Sequence, residues 1–199
     1  MTPNPPSDNP AGNRKSPLLE AIDEAADALD RAKSLCDDFD AACQLLADCW
    51  AGHGKLLIAG NGGSAADAMH FAEELVVRYQ KNRRAFAAIA LTDPTVLTCC
   101  GNDFGYEKVF ARQVEALGRP GDVLVVFSTS GNSPNCVAAV DEAKKAGLRS
   151  LAFLGKDGGA LKGQCDVEFL VPSDTTARIQ EVHQLLYHAI CQWVDQNLG

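Results

Sequence analysis

The sequence predicts an α/β fold in which a parallel sheet carries helices on both faces. Short apolar runs alternate with helical patterns along the chain. One of these runs, residues 123–127, is apolar without a break, which is typical of a strand that is buried on both faces of a parallel sheet. Polar loops rich in glycine or serine follow the first and third runs. Parallel sheets bind ligands at the carboxyl ends of their strands, so both loops are candidate binding segments.

The first of these loops lies in a stretch, residues 55–79, that predicts a strand, a tight loop and a helix. An apolar run at residues 55–59 ends in GNGG at residues 60–63, and a helical pattern begins at Ser64, which suits an N-cap. Glycine lets backbone amides approach a ligand closely. A helix N-terminus offers free N–H groups and the positive end of the helix dipole, so we expect this loop to bind an anion.

The other elements follow in chain order. Residues 1–17 carry five of the nine prolines and little to bury, which predicts a disordered tail ahead of a single domain at residues 18–199. Residues 18–50 predict two helices that break near residues 36–39 and offer a surface for another subunit. Further strands are expected at residues 85–90, 150–154 and 167–171, and further helices at residues 106–117, 134–146 and 176–197.

The second loop, STSGNS at residues 128–133, presents four hydroxyls in six residues. Ser133 followed by Pro134 is typical of an N-cap and the first position of a helix. Hydroxyls together with helix amides predict a phosphate cradle, the alternative being a polar turn that only caps the helix. The sequence GxxxxGK[ST] is absent, which argues against a nucleotide P-loop. We interpret GKDGG at residues 155–159 as a turn and not as a second phosphate site.

Composition excludes several classes of function. The 199 residues carry a formal net charge of −8 with a pI near 4.9, which argues against nucleic acid or anionic membrane as the main partner. No apolar run approaches the ~18 residues of a membrane span, and the N-terminus does not resemble a signal peptide. The eight cysteines form no CxxC pair, so we expect reduced core residues in a cytoplasmic protein. A cysteine zinc site or a disulfide framework is the weaker alternative.

Candidate ionisable residues lie on two predicted helices. His70 and Glu74 share one helix face at i and i+4, although such pairs are more often surface pairs. Gln180 and His188 lie on the closing helix within roughly 80° of each other and about 12 Å apart along its axis. That separation is near the limit for two ligands of one metal, unless the helix bends or different subunits contribute. His183 is expected to be partly exposed or a core histidine.

Four segments, GNGGSAADAMHFAEEL, GNDFG, FSTSGNS and ARIQEVH, together resemble one family. It is the sedoheptulose-7-phosphate isomerases, also called phosphoheptose isomerases, of the sugar-isomerase (SIS) domain class. The similarity runs in register from about residue 18 to residue 197. It implies a three-layer αβα sandwich with a five-stranded parallel sheet, which is the flavodoxin-like SIS fold. It also implies N-terminal helices for oligomerisation and a homotetramer with its sites at subunit interfaces.

The resemblance also implies roles for individual residues. One Zn²⁺ per subunit would be held by His70, Glu74, Gln180 and His188. The substrate contacts would be Asn61, Gly62, Gly63, Glu74, Asn102, Asp103, Ser128, Thr129, Ser130, Ser133 and Gln180. The catalytic pair would be Glu74 and His188. The chain departs from some members at Ala177, where they carry an acidic residue before Arg-Ile-Gln.

The reaction implied by this resemblance converts D-sedoheptulose 7-phosphate into D-glycero-D-manno-heptose 7-phosphate through an enediol, the first step of ADP/GDP-heptose biosynthesis. Glu74 would move a proton between carbons 1 and 2, while His188 would shuttle protons at the oxygens and help to open the ring. A metal would polarise the carbonyl. A zinc-bound carboxylate is a poorer base, so Glu74 would shift between ligand and base, or the zinc would be partly structural.

Two alternatives stay open. A non-catalytic SIS relative would be a tetrameric scaffold that binds the replication initiator, but such proteins tend to lose the catalytic residues that Glu74 and His188 represent. A different SIS enzyme or sensor would act on amino sugars, against which the segments HFAEEL and RIQEVH argue.

Overall fold

A computed structural model gives the structure of the protein and describes residues 16–199. The predicted disordered tail therefore lies outside the described residues, except at its end. Helix α1 (Pro17–Arg31) begins at the last residue that the sequence had assigned to the tail. Pro17 occupies the start of the helix, where the missing N–H of proline would have no intrahelical acceptor anyway.

The N-terminal helices are continuous over the break that the sequence predicts. Helix α2 (Cys36–Ala51) follows α1 after a 3₁₀ turn at Ala32–Leu35, so the predicted break near residues 36–39 is wrong by about one turn. Asp37 and Asp38 lie in the first turn of α2, where negative charge faces the positive end of the helix dipole. The acidic pair therefore begins a helix instead of interrupting one.

The sheet has five strands, all parallel, in the order β2-β1-β3-β4-β5. The strands are β1 (Leu56–Gly60), β2 (Ala88–Ala90), β3 (Val123–Ser128), β4 (Arg149–Gly155) and β5 (Val167–Val171). Every residue of β1 and β3 is buried, which confirms the doubly covered parallel sheet. The strand predicted at residues 85–90 is wrong in extent: only its last three residues pair with β1, and Ile89 is exposed. As an edge strand, β2 has a partner on one side only.

Helices cover both faces of the sheet. They are α3 (Gly63–Val76), α4 (Pro94–Asp103), α5 (Ala111–Leu117), α6 (Pro134–Lys145) and α7 (Thr176–Asn197), with 3₁₀ turns at Tyr106–Lys108 and Gly159–Leu161. One apolar core packs α2, α3 and α7 against the sheet, and a second packs α5 and α6 against its other face. The α-helix predicted at residues 106–117 is wrong over its first turn, which is 3₁₀, so α5 begins only at Ala111.

The strand order fixes where a ligand can bind. β1 and β3 are neighbours although β2 lies between them in sequence, so the chain leaves them toward opposite edges of the sheet. A crevice forms at such a switch point, outside the carboxyl ends of the two strands. The loops at residues 60–63 and 128–133 follow β1 and β3, and the topology therefore places them side by side.

All eight cysteines are free, which confirms the expectation of reduced thiols. Their predicted placement in the core is wrong for Cys36 and Cys99, which are exposed. Within residues 16–199, no helix combines the length and the apolar character that crossing a membrane would need.

Candidate active site

The first loop ends in a backbone conformation that favours glycine. Gly62 has φ 56° and ψ −120° and forms the N-cap of α3. An L side chain rarely adopts this region, so glycine is required here by the turn itself. Ser64, which the sequence predicts as the cap, lies buried inside the first turn of the helix, and that prediction is wrong.

Asn61 connects the first loop to the neighbouring helix start. Its side-chain amide exchanges two hydrogen bonds with the amide of Asn135, at 2.9 and 2.8 Å. The Tyr106 hydroxyl donates a third bond to Asn61 Oδ1 at 3.0 Å. Asn135 is only 2% exposed and lies in the first turn of α6, directly after the second loop. The pair therefore holds the two loops together, and sequence reasoning missed it because a polar residue in a first helical turn is unremarkable.

The second loop presents its hydroxyls at the end of β3. Ser128 is the last residue of β3, and its hydroxyl lies 3.4 Å from that of Ser133. Ser133 is the N-cap of α6 and Pro134 follows at the first position, as predicted. The Ser133 side chain makes no capping bond, so its hydroxyl is directed to the loop and not to the helix backbone. Thr129 and Ser130 are half-buried beside it.

The GKDGG turn and the 3₁₀ turn that follows it, Gly159–Leu161, pack against the second loop. The Leu161 amide donates to the Gly131 carbonyl at 3.1 Å, and the Ala160 amide donates to Asn132 Oδ1 at 2.9 Å. Gly131 has φ 64°, and a Cβ placed on it would overlap the Gly158 carbonyl. This contact accounts for the glycine in the middle of the loop, and it agrees with the interpretation of residues 155–159 as a turn.

His70, Glu74 and His188 converge in one cluster built by α3 and α7. One potential ligand atom from each side chain lies within 4.8 Å of the other two. His70 Nε2 is 3.2 Å from Glu74 Oε1, and the rings of His70 and His188 are 5.0 Å apart between centroids. The two residues predicted as a catalytic pair thus lie in one place within a single chain.

One ring nitrogen of His188 is able to bind a metal ion or a proton. Its Nε2 is buried and has no hydrogen-bond partner among residues 16–199. Burial lowers the pKa of His188, and the neighbouring His70 lowers it further against the opposing charge of Glu74. The imidazole is therefore held toward its neutral form, in which one nitrogen offers a lone pair.

Gln180 packs against the first turn of α3. A Cβ on Gly63 would lie 2.5 Å from Gln180 Nε2, so the amide packs directly on the first loop. His70 is two helical turns further along α3. No hydrogen bond joins Gln180 to the three clustered side chains within the part of the chain that the structure describes. This position suits the predicted substrate contact, while the ligand role of Gln180 stays a prediction.

Asn102 and Asp103 are exposed at the end of α4. The Asn102 amide donates to Asp103 Oδ1 at 2.7 Å. Over residues 16–199, neither side chain hydrogen-bonds to the two loops or to the histidine cluster, and their roles as substrate contacts stay predictions. Helix α4 itself was not predicted, although Asp93 and Pro94 form a clear start: the Asp93 carboxylate accepts from the amides of Thr95 and Val96.

Two tyrosines that the sequence analysis did not single out surround the cluster. The Tyr187 hydroxyl lies 2.9 Å from His70 Nδ1, and the Tyr79 ring stacks on His188 with centroids 5.6 Å apart. Beside them, burial raises the pKa of Asp67 to about 6, against the opposing influence of His70. Helical periodicity was a usable signal for Tyr187, because residues seven apart share a face and Tyr187 follows Gln180 by seven.

His183 lies in the core. Of the two expectations from the sequence, a partly exposed residue or a core histidine, the second is confirmed. It is fully buried, and its Nε2 lies 3.0 Å from the Leu154 carbonyl. Burial lowers the pKa of His183 to about 4 although the carbonyl opposes this, so the ring is neutral and takes no part in the cluster.

The fold and the paired loops identify the class of protein. Residues 21–155 match the SIS domain, and this match covers more than half of the chain. The fold is thus the five-stranded parallel SIS fold that the resemblance implied.

Relatives then narrow the class. A phosphoheptose isomerase of Paramagnetospirillum magneticum is 52% identical over 160 residues, which cover 80% of this chain and 83% of that protein. One of Vibrio vulnificus is 49% identical over 187 residues, which cover 91% and 97%. The solved structure of the phosphoheptose isomerase from Neisseria gonorrhoeae superposes with a TM-score of 0.86 at 43% identity, covering 90% of this chain and 97% of that one. The chain therefore belongs to the phosphoheptose isomerase family, and it is an enzyme of the isomerase class.

Proposed function

We propose that the protein converts D-sedoheptulose 7-phosphate into D-glycero-D-manno-heptose 7-phosphate through an enediol, as the first step of ADP/GDP-heptose biosynthesis. The observation that carries the proposal is the meeting of Glu74 and His188 in one cluster. A carboxylate and a neutral imidazole together supply what a proton transfer between adjacent carbons requires. The names of the relatives support a heptose phosphate as the substrate class.

Glu74 is the proposed general base. Its carboxylate takes the proton from carbon 1 of the open-chain ketose and returns it to carbon 2, so the double bond moves through the enediol. His188 transfers the accompanying proton between the two oxygens. Its buried Nε2 can accept that proton only while it does not ligate a metal, so His188, like Glu74, would alternate between the two roles. A positioned acid–base pair of this kind typically contributes about 10²–10⁴-fold to the rate.

The phosphate group is proposed to bind in the second loop. Ser128, Thr129, Ser130 and Ser133 surround the N-terminus of α6, where hydroxyls and the helix dipole both favour an anion. The first loop is proposed to contact the sugar hydroxyls between the phosphate and the cluster through Asn61, Gly62 and Gly63. Gln180 of α7, which packs on this loop, is proposed to contact them as well. Holding both ends of the substrate supplies orientation, which lowers the entropic part of the barrier.

One Zn²⁺ per subunit is the proposed cofactor, and the residues present fit it. Two imidazoles and a carboxylate with ligand atoms within 4.8 Å, one of them a buried and unpartnered nitrogen, form a donor set that zinc accepts. His70, Glu74 and His188 would hold the ion, with Gln180 as the fourth proposed ligand. Bound there, the ion would polarise the substrate carbonyl and stabilise negative charge on oxygen.

A homotetramer in the cytoplasm, with sites at subunit interfaces, is the proposed assembly. Helix α1 leaves Leu18, Leu19 and Ile22 more than half exposed, which is costly for a helix without a partner. Asn102 and Asp103 are exposed, so they are proposed to contact substrate either in their own subunit or in a neighbouring one. No role for nucleic acid or membrane is proposed.

The proposal is tested by incubating the purified protein with D-sedoheptulose 7-phosphate in D₂O, with and without a chelator, and following the product by NMR. We expect the aldose phosphate to form with deuterium at carbon 2, and we expect the chelator to slow the reaction. Binding of the substrate without turnover would favour the non-catalytic scaffold, and turnover of an amino-sugar phosphate instead would favour the other SIS enzymes. Either result would overturn the proposed reaction.

A further inference from the structure

We propose that Tyr187 is a positioning residue for His70, whose hydroxyl holds the imidazole so that Nε2 faces Glu74 and His188. The inference rests on the proposed function only where it concerns zinc. The geometry itself is independent of any ligand, because the Tyr187 hydroxyl lies 2.9 Å from His70 Nδ1 while His70 Nε2 lies 3.2 Å from Glu74 Oε1. The two ring nitrogens therefore have different partners on opposite sides, and these partners define one ring orientation.

The Tyr187 ring is held rigidly, so its hydroxyl has a fixed position. The residue is fully buried. Its ring stacks on Phe71 with centroids 5.5 Å apart, and it meets Phe127 edge-on at 6.1 Å. Phe71 follows His70 directly in α3, so the same helix supplies both the packing surface and the imidazole. A side chain immobilised in this way can orient its hydrogen-bond partner, whereas a mobile surface hydroxyl cannot.

A phenol suits His70 because its hydroxyl can both donate and accept a hydrogen bond. Without a metal, the ionised Glu74 carboxylate accepts from Nε2–H, which leaves Nδ1 to accept from the tyrosine. When Nε2 offers its lone pair to an ion, the proton resides on Nδ1 and is donated to the tyrosine oxygen. The same hydroxyl therefore serves both tautomers without a change in ring orientation. A histidine that binds a metal usually depends on such a partner for its second nitrogen.

The first test reads the tautomer of His70 directly. Full-length protein labelled with ¹⁵N-histidine is treated with a chelator, and the nitrogen shifts of its four histidines are recorded for the parent and for Tyr187→Phe. We expect the parent to show a neutral His70 with the proton on Nε2 and a hydrogen-bonded Nδ1, and the variant to show a free Nδ1 or mixed tautomers. An Nδ1 without a hydrogen bond in the parent would overturn the proposal, even if the variant did not fold. An unchanged His70 spectrum in a folded variant would overturn it as well.

The second test measures zinc affinity by competition with a chromophoric chelator. Tyr187→Phe is expected to weaken Zn²⁺ binding about 10–100-fold, the usual effect of removing such a partner. The matched control is Tyr79→Phe, which removes a hydroxyl from the ring that stacks on His188 and is expected to change the affinity little. Equal affinities for the parent and Tyr187→Phe would contradict the proposal. A parent that binds no zinc would contradict the proposed cofactor instead, and the tautomer measurement would still decide the role of Tyr187.

Discussion

Arg83 and Asp195 form a buried ion pair that joins the two helices of the active site. Arg83 Nε donates to Asp195 Oδ1 at 2.7 Å, and both side chains are almost completely buried. Arg83 also donates to the backbone carbonyls of Leu75 and Glu74, at 2.9 and 2.8 Å, near the end of α3. Asp195 lies on α7, about two helical turns after His188. The pair therefore links the end of the helix that carries Glu74 to the helix that carries His188.

Removing the charge of Asp195 should destabilise the protein strongly. Asp195→Asn leaves the buried Arg83 guanidinium without its counter-charge, and breaking such a pair typically costs about 3–5 kcal/mol. The free energy of unfolding from denaturant titration measures this. The matched control is Glu115→Gln, which breaks the exposed pair with Arg112 and should cost less than about 1 kcal/mol. Equal losses for both variants would show that the buried pair has no special role.

The contribution of Asp195 should depend on pH. Burial by itself would raise the pKa of Asp195, but bonds from the Lys81 amide, the Arg83 side chain and the Gln80 amide together hold it below the usual value. A carboxyl with a depressed folded-state pKa stabilises the fold above its unfolded pKa of about 3.9, and this contribution is lost as the pH falls through the folded-state pKa. The stability difference between parent and Asp195→Asn should therefore be full at pH 6 and shrink below about pH 4. A difference that stays constant down to acid unfolding would argue against this linkage.

Replacing the proposed base should abolish turnover without unfolding the protein. Glu74→Gln keeps the size of the side chain but removes its ability to take a proton, so kcat should fall about 10²–10⁴-fold. Glu73→Gln makes the same chemical change one residue earlier, on an exposed side chain, and should leave kcat nearly unchanged. Circular dichroism establishes that both variants fold. Unchanged turnover of sedoheptulose 7-phosphate by Glu74→Gln would refute the assignment of the base.

His188→Gln should separate the rate from phosphate binding. The variant loses the imidazole of the cluster but leaves the second loop intact, so turnover should drop severely. The inhibition constant of inorganic phosphate should change little, because the phosphate is proposed to bind at residues 128–133. If rate and phosphate affinity fell together, His188 would be a binding residue and not a catalytic one.

The second loop should tolerate no side chain at its central glycine. In Gly131→Ala the new methyl group would overlap the Gly158 carbonyl, which forces the loop away from the turn that supports it. We expect a raised KM for the sugar phosphate together with lower stability. Gly163→Ala is the matched control, because Gly163 has a similar φ of 73° but no heavy atom within 4 Å of the added Cβ. Its cost should be limited to backbone strain of about 1–3 kcal/mol, with KM unchanged. Equal KM values for the two variants would exclude the contact with Gly158 as a determinant of binding.

Much of the fold could be predicted because its signals are local. The unbroken apolar run of β3, the Ser133-Pro134 helix start and the closing helix at residues 176–197 were each confirmed. The errors concern boundaries. Ser64 suits an N-cap by residue type, but the positive φ of Gly62 moves the cap two residues earlier. Strand β2 is short because it lies at the edge of the sheet and pairs with β1 only. The residue pattern alone does not show which strand lies at an edge.

The amino-acid sequence by itself determined the periodic placement of His70 and Glu74 on one helix, the hydroxyl loop at residues 128–133, and the order of the five strands along the chain. Only the tertiary structure decided which of these residues meet. The Tyr187–His70 contact spans 117 residues, the Asn61–Asn135 pair spans 74, and the Arg83–Asp195 pair spans 112. Periodicity reports which face of an element a residue occupies, whereas the crossing of α3 and α7 depends on how their apolar faces pack on the sheet. That packing is a property of the whole core, and it is what brings a carboxylate and an imidazole into one site.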